Sequence, residues 1–178
     1  MRSLIVFLGL FLVAAFGSSA SNVHIRAQEH SYTSAKVNYV VDFPSPTWHL
    51  IGEPDDIHQH AEFVYGDRTE GYLRIRKEAL EEGVSVDDFA RRDQNPRFLP
   101  GYVDGKSEKF TGRLNGVTAS YEYTQAGKPM AGRTYYLKAD NRTIYALRFT
   151  GMRDKLARIR NQTDLIARSF KLKITFSP

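Results

Sequence analysis

The chain has 178 residues, 42% hydrophobic and 25% charged, with no cysteine and a formal charge of +5. This length suits one globular domain better than two, and 13 glycines, 7 prolines and 12% aromatic residues exclude disordered, collagen-like and disulfide-scaffold chains. Without cysteine there is no thiolate nucleophile or zinc–thiolate site, and the mild, dispersed basic excess does not point to nucleic acid, whose binders gather charge into a patch.

Arg2 precedes an uncharged, mostly apolar run from Leu4 to Phe16, which ends in Gly17-Ser18-Ser19-Ala20. A positive head, an apolar centre and small residues before a cut make a secretory signal peptide, and the run falls short of the ~20 residues of a membrane span. Cleavage near Ala20 is expected, with residues 1–20 removed, 21–36 a polar lead and 37–178 a single domain in the periplasm or outside the cell. No cysteine follows the apolar run to carry a lipid.

Val37, Tyr39, Val41 and Phe43 alternate with polar residues as a first strand, stopped by Pro44-Ser45-Pro46 and followed by the lone Trp48. Short strands are expected at Ala61–Tyr65 and Tyr72–Lys77. Ser85 with Asp88 approximates a capping box, and Val84 with Phe89 a hydrophobic staple, so a helix should run over 86–94 and stop before Pro96. Four strands joined by short turns follow as an antiparallel meander. Asn115-Gly116 predicts a two-residue type I′ hairpin because both residues tolerate positive φ, and Gly127-Lys128-Pro129 and Asp140-Asn141-Arg142 mark the next turns. Met152, Leu156, Ile159, Thr163, Ile166 and Phe170 then trace one stripe of a helix of about 18 residues. Asp154 with Arg158 and Asp164 with Arg168 are i,i+4 pairs on it. The pattern predicts an α+β domain whose helices cover a mainly antiparallel sheet.

This order, with its strand Val40-Val41-Asp42-Phe43-Pro44-Ser45-Pro46-Thr47-Trp48, the helix start Ser85-Val86-Asp87-Asp88-Phe89-Ala90 and the closing Ile166-Ala167-Arg168-Ser169-Phe170-Lys171-Leu172, resembles the superfamily of the photosystem II extrinsic protein PsbP, the periplasmic protein DcrB and the Mog-type Ran-binding factors. The likeness spans roughly residues 37 to 173 and rests on the order of elements. It implies an α/β/α sandwich around a mostly antiparallel sheet and an accessory or binding role without catalysis or cofactor. It transfers no site residue by residue. The export signal fits the exported bacterial branch.

His58-x-His60, beside Asp55, Asp56 and Glu62, is the most ligand-like feature: on a strand, residues two apart share a face and two imidazoles could hold one metal. The alternative is a solvated polar loop. No Gly-x-Ser-x-Gly elbow or His-Glu-x-x-His motif is present, and Asp87-Asp88 is explained by helix capping, so no enzymatic activity is expected. Arg74 and Arg76 share a strand face with Tyr72; with Trp48 these residues make a candidate binding surface for an anionic partner, unless neighbouring acids neutralise the arginines. Asn141-Arg142-Thr143 and Asn161-Gln162-Thr163 match glycosylation acceptors. The expected function is that of an exported accessory protein contacting an envelope protein or a small anionic ligand. The alternative is a small periplasmic binding protein for an anion or metal ion.

Overall fold

The computed structural model describes residues 30–56, 59–93 and 96–173, so the expected signal peptide and His58 lie outside the described residues. Ten strands and three helices follow one another: β1 (His30–Tyr32), β2 (Tyr39–Phe43), β3 (Trp48–Gly52), β4 (His60–Tyr65), β5 (Gly71–Ala79), α1 (Val86–Arg92), β6 (Val103–Phe110), β7 (Gly116–Gln125), β8 (Lys128–Lys138), β9 (Thr143–Met152), α2 (Arg153–Arg158), α3 (Arg160–Ser169) and β10 (Lys171–Leu172). Seven strands form one sheet in the order β3-β4-β5-β9-β8-β7-β6, and β1-β2-β10 form a smaller one. Every pairing is antiparallel. The large sheet is therefore two meanders, β3–β5 and β6–β9, joined where β5 pairs with β9.

Period-two alternation divides the sheet's side chains between two faces. Tyr135, Leu137, Tyr145, Leu147 and Phe149 point to a core that α3 closes with Ile166, Ala167 and Phe170. Each fully buried side chain of this kind contributes about 1.5–3 kcal/mol. On the opposite face Tyr136, Ile144 and Ala146 meet Val84, Val86 and Phe89 around α1. The Ser85 hydroxyl accepts from the Asp88 amide at 3.0 Å and donates to its carboxylate at 2.6 Å, so the expected cap forms.

Four details differ from the sequence reading. His30–Tyr32, placed in the polar lead, pairs with β2, because Tyr32 inserts edge-on against Phe63, with ring centroids 4.9 Å apart. The expected long C-terminal helix is two short ones: Ile159 leaves the helical region at φ −98°, ψ 12°, and its buried side chain packs against Gly71. Asn115-Gly116 is not a two-residue turn. Residues 111–115 reach out to α3, where the Arg113 amide meets the Arg168 carbonyl at 3.4 Å, and Gly116 sits in β7, where a Cβ would strike the Tyr136 carbonyl. The positive-φ pair is instead Ala126-Gly127, at 50° and 74°, in the β7–β8 hairpin. Finally, Asp164 pairs with Arg133 at 3.1 Å and not with Arg168, whose guanidinium bonds the Thr111 carbonyl and lies over Phe110; Asp154–Arg158 forms as expected at 3.6 Å.

Candidate functional site

The helices cover the sheet unevenly. α1 lies over β7 and β8 and the residues around it bury Ile144 and Ala146 of β9, leaving the same face of β5 and β4 half-exposed at Tyr72, Arg74, Arg76, His60 and Glu62. Along β5 the odd-numbered Gly71, Leu73 and Ile75 are buried and the even-numbered Tyr72, Arg74 and Arg76 are half-exposed. Those three expected site residues therefore do share the open face. Trp48, the fourth, does not: it is 5% exposed, stacked near Phe43, Tyr65 and Phe149, and its indole N–H donates to Gln162 at 3.1 Å. An indole on an open strand would leave its apolar surface in water, so it turns into the core.

Glu62 on β4 organises the open face. It stands opposite Arg74 in the register with only 16% of its side chain exposed. The Tyr72 hydroxyl donates to its Oε1, Arg74 reaches the same oxygen at 3.1 Å, and the His60 ring lies 3.0 Å from it. Arg68 approaches the other oxygen at 3.4 Å, and Arg68 and Arg74 both lie over the Tyr72 ring. Burial opposes ionisation of Glu62, but the hydrogen bonds from Tyr72 and His60 and the Arg74 charge outweigh it and hold its carboxyl below the usual range. Burial and then the Glu62 carboxylate push the Tyr72 phenol up. Arg76 pairs with Glu78 at 3.2 Å. The arginines thus stand in an ion-paired lattice and not in an uncompensated positive patch. His60 is committed to Glu62, and among the described residues no group of three His, Asp or Glu side chains gathers as metal ligands.

Glu78 also leads into a groove of about 340 Å³ between β5, β9 and α1, lined by Ala79, Val84, Phe89, Asp93, Phe98 and Ala146 among others. Phe98 stands on its rim with 83% exposure, an aromatic ring that the fold itself does not bury. Asp93, which caps α1, fixes the groove's helical wall. It accepts from Tyr136 at 2.6 Å and from Arg148 at 2.5 Å, with 7% of its own side chain and 20% of that of Arg148 exposed. Sequence reading missed Asp93, Arg148 and Phe98 as a unit, since they lie on different elements. The signal available was an aspartate ending a helix just before Pro96 and a large aromatic in the turn beyond it.

No protein-family model and no curated protein matches the sequence. Solved structures do. LpqN of Mycobacterium tuberculosis, described as involved in cell envelope biogenesis, is 14% identical with a TM-score of 0.57 over 82% of this chain and 91% of its own. The Ran-binding protein Mog1p of Saccharomyces cerevisiae is 7% identical with a TM-score of 0.59 over 81% and 95%. The cyanobacterial PsbP of Synechocystis sp. PCC 6803 is 11% identical with a TM-score of 0.58 over 88% and 99%. Among the described residues no helix is long and apolar enough to cross a membrane. At this identity the likeness establishes architecture: the chain has the α+β fold shared by the PsbP-like and Mog-type structures.

Proposed function

We propose that this chain is an exported, non-catalytic accessory protein that docks an envelope protein on the open face of its sheet, with the α1 groove receiving an apolar side chain of the partner. The observation that carries this reading is Phe98, 83% exposed on a groove whose lining residue Glu78 is ion-paired with Arg76, two residues along β5 from Arg74. Exposed aromatics and arginines beside a concave apolar surface are the usual anchors of protein interfaces. Both oxygens of Glu62 are already engaged by donors, so this carboxylate serves as an organising hub and not as a free general base. The involvement of LpqN in cell envelope biogenesis and the Ran binding of Mog1p support the choice of a protein partner.

The test is affinity capture by the mature domain from the envelope fraction of its host, comparing wild type with Phe98→Ala and Arg74→Ala. Both positions are exposed enough for these variants to fold. A stoichiometric protein recovered by wild type and lost with both variants agrees with the proposal. A protein recovered equally by all three places its contact elsewhere and defeats it.

A further inference from the structure

A second groove, of about 360 Å³, lies on the opposite face of the sheet, between β6–β8 and α2. It is independent of the docking face described above. Two departures from regular structure flank it, and each delivers a cation to its wall. In β6 the register slips between Asp104 and Ser107, so that Gly105 and Lys106 together oppose Ser120. The slip is held from both sides: the Ser120 hydroxyl accepts from the Lys106 amide at 2.9 Å and donates to its carbonyl at 3.2 Å. Only glycine fits at 105, where a Cβ would sit 2.6 Å from the Ser120 hydroxyl and 2.7 Å from its carbonyl oxygen. Bulges re-aim side chains and cluster beside functional sites. The other departure is the break at Ile159, which starts α3 anew with Arg160 on the groove's helical side.

The charges of this groove are unequal. Arg133 is engaged by Asp164 and Arg153 by Glu122, each at 3.1 Å. Lys106 and Arg160 are exposed, and no acid among the described residues pairs with either. Glu108 lines the groove without an ion pair among the described residues, so four basic residues stand against three acidic ones, Glu108, Glu122 and Asp164. Beneath them Thr118, Ala131 and Leu156 contribute an apolar and hydroxyl floor, with Thr118 and Leu156 buried. A volume of this order lies at the lower end of small-molecule sites.

We propose that this groove binds a small amphiphile, with an anionic phosphate or carboxylate head held between Lys106 and Arg160 and an apolar body laid over Ala131 and Leu156. The fold expends two irregularities on presenting unpaired cations at one concavity. The break at Ile159 also seats its side chain against Gly71, whereas the β6 bulge re-aims Lys106 within a stretch that buries no side chain over residues 103–109, an irregularity of the kind found beside functional sites. A monoanion or dianion there would meet a preset pair of donors, with the guanidinium suited to a planar oxyanion edge.

The experiment is calorimetric titration and amide NMR mapping of the mature domain with octyl phosphate below its micelle concentration, inorganic phosphate and octyl glucoside. Octyl phosphate should bind and perturb Thr118, Ala131 and Leu156, while Lys106→Gln and Arg160→Gln each weaken it about two- to fivefold, as expected for one solvent-facing charged contact. Equal binding of inorganic phosphate would overturn the amphiphile, and equal binding of octyl glucoside the anionic head. No binding of octyl phosphate, or shifts confined to the Glu62 face, would overturn the site itself. Failure here leaves the docking-face capture result unchanged, so the two proposals fall separately.

Discussion

Removing the Asp93 carboxylate should detach α1 from the sheet. Asp93→Ala leaves the Arg148 guanidinium, 20% exposed, without its counter-charge and the Tyr136 hydroxyl without its acceptor. Breaking a buried pair from one side costs about 3–5 kcal/mol, against about 0–1 kcal/mol for a surface pair. The residual exposure of Arg148 places this case near the lower figure, and the orphaned phenol adds about 1 kcal/mol, for a total of about 3–4 kcal/mol. At about 2–4 °C per kcal/mol in a domain of this size, the melting midpoint should fall by roughly 6–16 °C. Replacing both partners, Asp93→Ala with Arg148→Met, should recover a large part, because the cost lies in the stranded charge and not in the pair. Urea unfolding of wild type, both single variants and the double completes the cycle, provided the m-value stays constant. A loss under about 1 kcal/mol for Asp93→Ala, or a double variant equal to the sum of the singles, would refute the latch.

Three further outcomes follow from packing and charge. Glu62 has a depressed folded pKa, so its contribution to stability is present above the unfolded value of about 4.3 and is lost as pH falls through the folded value; Glu62→Gln should be destabilised at about pH 7, with the gap to wild type narrowing in urea titrations as pH is lowered below the unfolded value. A gap that is constant with pH would contradict the assignment. Gly71→Ala places a Cβ 2.7 Å from the Ile159 Cδ1 and 3.1 Å from the Tyr65 Cβ, costing about 1–3 kcal/mol, and Ile159→Val in the same chain should cost less than the two changes summed, as read by thermal unfolding. Gly116→Ala drives a Cβ into the Tyr136 carbonyl, which cannot retreat without breaking the β7–β8 ladder, so circular dichroism should report a loss of about 3 kcal/mol or more.

Elements governed by local periodicity were legible. Tyr72, Arg74 and Arg76 occur at the spacing that puts them on one strand face, and Ser85-x-x-Asp88 caps the helix it announces. Elements governed by distant contacts were not. β1 exists because Tyr32 finds Phe63; nothing near residue 32 encodes that. Asn115-Gly116 carries a genuine turn preference, yet the glycine is required by the close approach of the Tyr136 carbonyl, so tertiary packing overrode turn chemistry. The stripe from Met152 to Phe170 is continuous in sequence, but the helix breaks at Ile159, where the side chain meets the bare backbone of Gly71. Glu62 was visible only as a neighbour of His60 and became a hub once β4 and β5 set it opposite Arg74. The Lys106 bulge rests on Ser120, fourteen residues away, beyond any local pattern.

If the face bearing Glu62 and the groove at Phe98 dock one protein partner, residues on both should touch the same molecule. Photo-crosslinking in the native host measures this most directly, with a crosslinking residue at position 98, at position 74, and at Leu165, which is 54% exposed on α3 away from that face. Positions 98 and 74 should give the same discrete adduct and position 165 none. Adducts at 165 alone, or different adducts at 98 and 74, would contradict docking on this face.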